Sequence, residues 1–154
     1  MKELVIRCRE SIGPIRLGDS KAQVRIALEN LDFTLASSRR ELDFFCEASI
    51  QVEYLDGTAF FIGISFSPKY TCTYGGLNVF DTVATQLFEF VTAREGDAMA
   101  AYDECGYVFP SQILSLWDAD TQYDRLQNES RPIYAQVGIG DERYLATTAK
   151  IDNR

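Results

Sequence analysis

Residues 12–33 read IGPIRLGDSKAQVRIALENLDF, and this segment decides the fold of the 154-residue chain. Gly13-Pro14 predicts a turn. Ser20, followed three residues later by Gln23, predicts a capping box, in which both side chains satisfy free backbone N–H groups at a helix start. The apolar residues that follow recur at helical spacing: Val24, Ala27, Leu28 and Leu31. The segment therefore predicts a turn followed by a capped helix that packs one face on a core.

A weaker copy of this segment covers Asn78–Leu87. Adding 62 to the residue number carries Asp19 to Asp81 and Ser20 to Thr82. The same offset carries Phe45 to Tyr107, Leu55 to Trp117 and Asp56 to Asp118. We therefore expect Asp81-Thr82 to cap a second helix that ends at Gly96 and has Ala84, Leu87, Phe88 and Val91 as its apolar stripe. The chain is predicted to be one domain of two pseudo-repeats, about 1–68 and 76–150, with a linker at 69–75.

Alternating apolar residues predict the strands before, between and after these helices. The predicted strands are 4–8, 42–45, 50–55, 59–67, 107–109, 113–117, 133–139 and 144–148. Asp56-Gly57 indicates a tight hairpin between the third and fourth of them. We expect loops at 34–40 and 119–131 and a short helix at 97–104. The predicted fold class is α+β, with each helix on an antiparallel sheet and the two sheets able to join into one.

The charge of −8 is concentrated in one third of the chain. Residues 76–130 hold ten acids against two bases, a net charge of −8. Because nucleic-acid phosphates attract basic surfaces, this balance argues against a nucleic-acid partner. No apolar run approaches the roughly 20 residues that span a membrane. Residues 1–10 lack the apolar core of a signal peptide, which predicts a cytoplasmic protein without a membrane partner.

The composition also removes several kinds of chemistry. The chain has no histidine, and its four cysteines form no C-x-x-C pair. Histidine-dependent nucleophiles, zinc sites and dithiol redox motifs are therefore unsupported. We expect no cofactor, no metal and no enzymatic activity.

The acidic segment is the candidate site, because a surface of one charge attracts a partner of the opposite charge. The predicted partner-binding residues are Asp97, Asp103, Glu104, Asp118, Asp120, Tyr123, Asp124 and Glu129. A solvated face that only keeps the protein soluble is the alternative for this segment. The two carboxyl groups of Asp118 and Asp120 leave a carboxylate-dependent hydrolase as a further alternative. Trp117, beside them, is expected in the core.

Two groups of motifs resemble known proteins. Residues 15–24, IRLGDSKAQV, resemble a motif of β-lactamase-inhibitor-like domains and small outer-membrane assembly lipoproteins. Residues 76–82 (GLNVFDT), Phe109-Pro110, Leu116-Trp117 and 137–140 (VGIG) are similar to small acidic bacterial proteins, including toxin immunity proteins.

The resemblance implies helix-on-sheet units and, in the tandem arrangement of the β-lactamase inhibitor protein, a concave sheet that binds protein. Together with the charge asymmetry and the missing catalytic chemistry, the resemblance predicts a non-catalytic binding protein of the inhibitor or immunity kind, whose partner is a basic protein such as a toxin domain. A structural or assembly module is the remaining alternative.

Overall fold

The computed structural model describes residues 2–96, 101–102, 106–124 and 129–152. Within these ranges the chain forms an α+β fold with two β-sheets and three α-helices, which confirms the predicted class. The helices are α1 (Lys21–Glu29), α2 (Ala84–Glu95) and α3 (Glu142–Asp152). None of them is long and apolar enough to cross a membrane.

The larger sheet has eight strands in the described ranges. They are β4 (Leu35–Arg39), β5 (Leu42–Phe45), β6 (Ile50–Leu55), β7 (Thr58–Ile64), β10 (Ala101–Tyr102), β11 (Gly106–Phe109), β12 (Leu114–Asp124) and β13 (Glu129–Gly140). Their spatial order is β10-β11-β12-β13-β7-β6-β5-β4. Two antiparallel meanders, β4–β7 and β10–β13, are thus joined where β7 pairs with β13. The described chain nevertheless keeps two sheets, so the expectation of one continuous sheet stays a prediction for the two meanders alone.

The hairpin of β6 and β7 is also confirmed. The two strands pair antiparallel, from Ile50 opposite Ile64 to Leu55 opposite Thr58. Asp56 and Gly57 between them have φ angles of 53° and 83°. These positive values are the ones that a two-residue hairpin turn requires, which is why Asp-Gly predicts it.

The smaller sheet contains a strand where a linker was predicted. It comprises β1 (Lys2–Arg7), β2 (Ser11–Ile12), β3 (Ile15–Arg16), β8 (Tyr70–Tyr74) and β9 (Leu77–Asn78) in the order β3-β2-β1-β8-β9. β8 lies parallel to β1, with Leu4 opposite Cys72. The linker prediction at 69–75 is wrong because Tyr70, Cys72 and Tyr74 alternate into the core.

The capping box of α1 forms as predicted. The backbone N–H of Gln23 donates to Ser20 Oγ at 3.2 Å, and the backbone N–H of Ser20 donates to Gln23 Oε1 at 2.8 Å. Val24 and Leu28 are fully buried. The preceding turn is bound to β7, since the Gly18 N–H donates to the Ala59 carbonyl at 2.8 Å. Local capping and this bond together fix the helix on the larger sheet.

The second helix lacks the predicted cap. The residue before α2 is Val83, and no side chain caps the helix there. Asp81 accepts a hydrogen bond from Asn78 Nδ2 at 2.9 Å, and Thr82 Oγ1 donates to the Asn78 carbonyl at 2.7 Å. These two side chains are therefore used by the short 3₁₀ turn Val79–Asp81. The predicted end of the helix at Gly96, with φ of 82°, is confirmed.

The C-terminal strand predicted at 144–148 is wrong, because α3 occupies that segment. Asp141 Oδ1 accepts hydrogen bonds from the backbone N–H groups of Arg143 at 2.9 Å and Tyr144 at 3.3 Å. Asp141 therefore caps the start of a helix at the segment for which a strand was predicted.

Two loop predictions and one helix prediction also need correction. Residues 34–40 contain β4, whose five residues are all exposed, so no alternation marks the strand. The expected loop at 119–131 is largely the paired continuation of β12 and β13. In the short helix expected at 97–104, Ala101–Tyr102 is a strand and the other positions lie outside the described residues.

The pseudo-repeat is not confirmed at the level of these residues. Thr82 does not reproduce the cap made by Ser20, and Asp118 lies within a strand whereas Asp56 lies in a turn.

A single hydrophobic core joins the smaller sheet, α1 and α2 to one face of the larger sheet. Its members include Leu4, Leu28, Ile62, Leu87 and Ile139. Consequently the opposite face of the larger sheet does not belong to this core.

Candidate functional site

The face of the larger sheet that points away from the core is here called the open face. Because antiparallel partners point to the same side of a sheet, the strand register identifies its members. They include Gln51, Glu53, Phe61, Gly63, Ser115, Trp117, Gln136, Gly138 and Gly140. The open face thus combines aromatic rings, amides, one carboxyl and several glycines.

A cavity of about 350 Å³ lies on the open face. The residues around it include Gln51, Glu53, Phe61, Trp117, Gln136 and Tyr144. We call it the aromatic cavity. Trp117 is 45% exposed there, so its expected place in the core is wrong. A large aromatic side chain exposed beside a cavity is typical of a protein-binding surface.

Glycines in the strands make room for Phe61. A Cβ atom at Gly138 would lie 2.5 Å from Phe61 Cζ, and one at Gly63 would lie 2.9 Å from Phe61 Cε2. These distances are too short for a real Cβ atom, so a side chain at Gly138 would displace the ring, and one at Gly63 would also displace the amide of Gln136, whose Nε2 would lie 2.6 Å away. Tyr144 of α3 stacks on Phe61, with ring centroids 4.6 Å apart and an interplanar angle of 29°. The ring pair therefore lies against backbone and forms one wall of the cavity.

Helix α3 is held in place by Arg143. Its guanidinium donates to Asp141 Oδ2 at 2.8 Å, to the Leu55 carbonyl at 2.9 Å and to Thr58 Oγ1 at 2.9 Å. Leu55 and Thr58 flank the β6–β7 turn, so one side chain connects the helix start to this hairpin. These bonds fix the helix that carries Tyr144.

The polar side chains of the cavity are Gln51, Gln136 and Glu53. Gln136 Nε2 donates to Gln51 Oε1 at 3.3 Å, above Gly63. Glu53 is half-buried, and burial raises the pKa of its carboxyl, partly offset by a hydrogen bond from Gln51. Of the ion pairs formed among the described residues, none includes Glu53. Its carboxyl is therefore partly desolvated and has no counter-ion among the described residues.

A different arrangement surrounds the buried carboxyl of Asp43, which is fully inaccessible to solvent. Arg25 donates to both of its oxygens at 3.0 Å, and Ser38 and Tyr54 donate at 2.7 and 3.1 Å. Burial would raise the pKa of Asp43, but these hydrogen bonds outweigh it and lower the pKa below its usual value. Both oxygens of the carboxylate accept hydrogen bonds, and the group connects α1 to β5, so it serves the fold.

A second cavity, of about 410 Å³, lies beside Lys2, Phe33 and Lys69. Lys2 pairs with Asp32 at 3.9 Å and Lys69 pairs with Glu47 at 3.3 Å. Since each ammonium group already has an acidic neighbour, this cavity offers no uncompensated charge.

The acidic residues proposed from the sequence are brought together in part. Asp118, Asp120, Tyr123 and Asp124 lie along β12, and the backbone of Asp124 pairs with that of Glu129 on β13. Asp97, Asp103 and Glu104 lie outside the described residues. Binding by these residues stays a prediction.

Sequence reasoning missed the aromatic cavity. Glu53 alternates with buried residues along β6, so its place on the outer face could have been read from the sequence. Isolated glycines such as Gly63 and Gly138 inside strands also signal a close approach of another group. Neither signal identifies the ring pair, because Gly138 and Tyr144 lie far in sequence from Phe61 and only the folded sheet brings them together.

Nothing in the described ranges points to a metal site, since no three His, Cys, Asp or Glu residues are grouped there to hold an ion. Comparison with protein-family models, with curated proteins and with solved structures gave no match. The geometry of the open face is therefore the basis for assigning a function.

Proposed function

We propose that this protein is a non-catalytic protein-binding protein whose partner is basic and docks on the open face of the larger sheet. The observation that carries this proposal is the exposure of Trp117 beside the aromatic cavity. Tryptophan is among the residues that contribute most to binding energy at protein interfaces. The neighbouring wall of Phe61 and Tyr144 is fixed by close packing, so little ordering would accompany docking.

The charge of the chain supports a basic partner. The net charge is −8, and Asp118, Asp120, Asp124 and Glu129 share the hairpin that carries Trp117. A field of one sign raises the association rate of an oppositely charged protein, and salt reduces the effect. The two roles differ: Trp117 holds the bound partner, and the acidic hairpin accelerates its arrival.

Within this class, the proposal is a cytoplasmic inhibitor or immunity protein that neutralises a basic partner such as a toxin domain. The absence of histidine-based chemistry, the charge asymmetry and the resemblances of residues 15–24 and 76–82 support it. The element order also supports two duplicated units, since each half supplies a helix and then four strands of the larger sheet.

The test begins with capture of partners from a lysate of the source cell on immobilised wild-type protein. The retained protein is then identified, purified and titrated against wild type and Trp117→Ala. Ile26→Ala is the matched control, because Ile26 is also a large apolar residue, 60% exposed, but lies on α1. We expect a basic partner whose affinity falls for Trp117→Ala and is unchanged for Ile26→Ala.

The acidic contribution is measured separately with Asp118, Asp120 and Asp124 replaced together by asparagine. This variant should associate more slowly, with a shallower dependence on salt and a nearly unchanged dissociation rate. An acidic partner, or equal affinity of Trp117→Ala and wild type, would contradict the proposed function.

A further inference from the structure

We propose that the aromatic cavity binds an arginine side chain of the basic partner, with its guanidinium against the aromatic rings and paired with Glu53. This inference rests on the proposed function and specifies the chemistry of its site. It predicts which side chain of the partner enters the cavity, which the net charge of the protein does not.

The aromatic rings supply the first part of the recognition. Trp117, 45% exposed, and the half-buried Tyr144 border the cavity, and Phe61, only 4% exposed, supports Tyr144 by stacking on its ring. The face of an aromatic ring attracts a cation, with tryptophan the strongest, and arginine stacks flat on such a ring. The same chain already uses this contact elsewhere, because Arg94 lies 5.4 Å from the ring centroid of Tyr74. A planar cation therefore matches the cavity better than a compact ammonium.

Glu53 supplies the second part. Its carboxyl is half-buried at the cavity and belongs to none of the ion pairs formed within the described ranges. A guanidinium can give a carboxylate two parallel hydrogen bonds, which an ammonium cannot. A bound cation would also offset the cost of desolvating this carboxyl, which raises its pKa in the free protein.

The amides of Gln51 and Gln136 supply the third part. They are joined by one hydrogen bond of 3.3 Å, and an amide oxygen has a second lone pair for another donor. A guanidinium carries five N–H donors in one plane, so donors remain after it pairs with the carboxylate. The cavity volume of about 350 Å³ is ample for one such side chain.

The test uses small probes so that it is independent of the partner. Trp117 is the only tryptophan of the chain, so its fluorescence reports on the cavity directly. The protein is titrated with the capped tripeptide acetyl-Gly-Arg-Gly-amide at constant ionic strength. Matched peptides carry lysine, or citrulline, which keeps the shape of arginine without its charge. We expect an arginine dissociation constant on the order of 1 mM, several-fold weaker lysine binding and no citrulline binding.

The carboxyl is tested with Glu53→Gln, which keeps the size of the side chain. Glu41→Gln, at an exposed position, is the matched control. Glu53→Gln should lower the affinity for the arginine peptide at least tenfold, whereas Glu41→Gln should leave this affinity unchanged. Thermal unfolding of both variants shows whether they remain folded, and Gln51→Ala provides a second variant of the cavity if Glu53→Gln does not fold.

The outcomes separate the two proposals. Equal binding of the citrulline or lysine peptide, or of the arginine peptide to Glu53→Gln, overturns the arginine inference. Absence of peptide binding, while the captured partner still depends on Trp117, overturns it and leaves the proposed function standing. Glu53-dependent arginine binding without any Trp117-dependent partner supports the arginine site and contradicts the proposed function.

Discussion

Replacing Trp117 by alanine should lower the affinity for the partner by about 100-fold. A tryptophan side chain buries up to about 250 Å² when fully enclosed. With 45% of the residue exposed in the free protein, about 110 Å² remains to be covered by a partner. At about 25 cal/mol per Å² this area corresponds to about 2.8 kcal/mol, or about 100-fold in affinity. This loss of about 100-fold is the upper limit, which is reached when the partner covers the ring completely.

Isothermal titration of the purified partner against wild type and Trp117→Ala measures this difference. The dissociation rate should carry most of it, because removing a contact shortens the life of the complex. The free variant should also lose some stability, because alanine removes the part of Trp117 that is covered in the free protein as well, so thermal unfolding first shows that the variant remains folded. A loss below about threefold would show that Trp117 is not covered in the complex, and the reasoning from its exposure would then be wrong.

Three further predictions concern the framework of the site. Asp43→Asn should lower the free energy of unfolding by about 3 kcal/mol at pH 7, because it leaves Arg25 without its charge partner. Because folding lowers the pKa of Asp43, its contribution to the free energy of unfolding is complete at pH 7 and declines as the pH falls below the ordinary value of 3.8. In urea unfolding, the difference in stability between wild type and Asp43→Asn should therefore be smaller at pH 3 than at pH 7. Ser20→Ala should cost about 1 kcal/mol in the same assay, with Ser20→Asp restoring most of it, and no loss would show that the capping box is dispensable. Gly138→Ala should displace the Phe61 ring, cost about 1–3 kcal/mol and shift the Trp117 emission; an unchanged emission spectrum and stability would contradict the close contact.

The sequence alone was sufficient where neighbours in the chain decide the structure. The capping box of Ser20 and Gln23 involves residues three positions apart, and the Asp56-Gly57 turn depends on the φ preferences of two residues. The buried alternation of β6 and the apolar stripe of α2 are likewise periodic over a few residues. Local signals of this kind are read correctly because the interactions that produce them are themselves local.

Local signals failed where other residues, near or far in the chain, use the same side chains or backbone. Asp81 and Thr82 have the composition of a helix cap, but Asn78 uses both in a 3₁₀ turn. Residues 69–75 have the composition of a linker, but pairing with β1 makes their centre a buried strand. Tyr144–Thr148 has strand-forming residues, but Asp141 caps a helix there and Arg143 binds it to the β6–β7 hairpin.

The candidate site depends most on tertiary structure. Composition and charge determined that the chain has no histidine and that its excess acidic residues lie in residues 76–130. Only the strand register placed Glu53, Phe61 and Trp117 on one face, although they come from β6, β7 and β12. The physical reason is that a residue in a strand faces the core or the solvent according to what packs on each side of the sheet. The sequence offset equated Trp117 with Leu55 and suggested the core, whereas packing of the smaller sheet, α1 and α2 on the other face left Trp117 exposed.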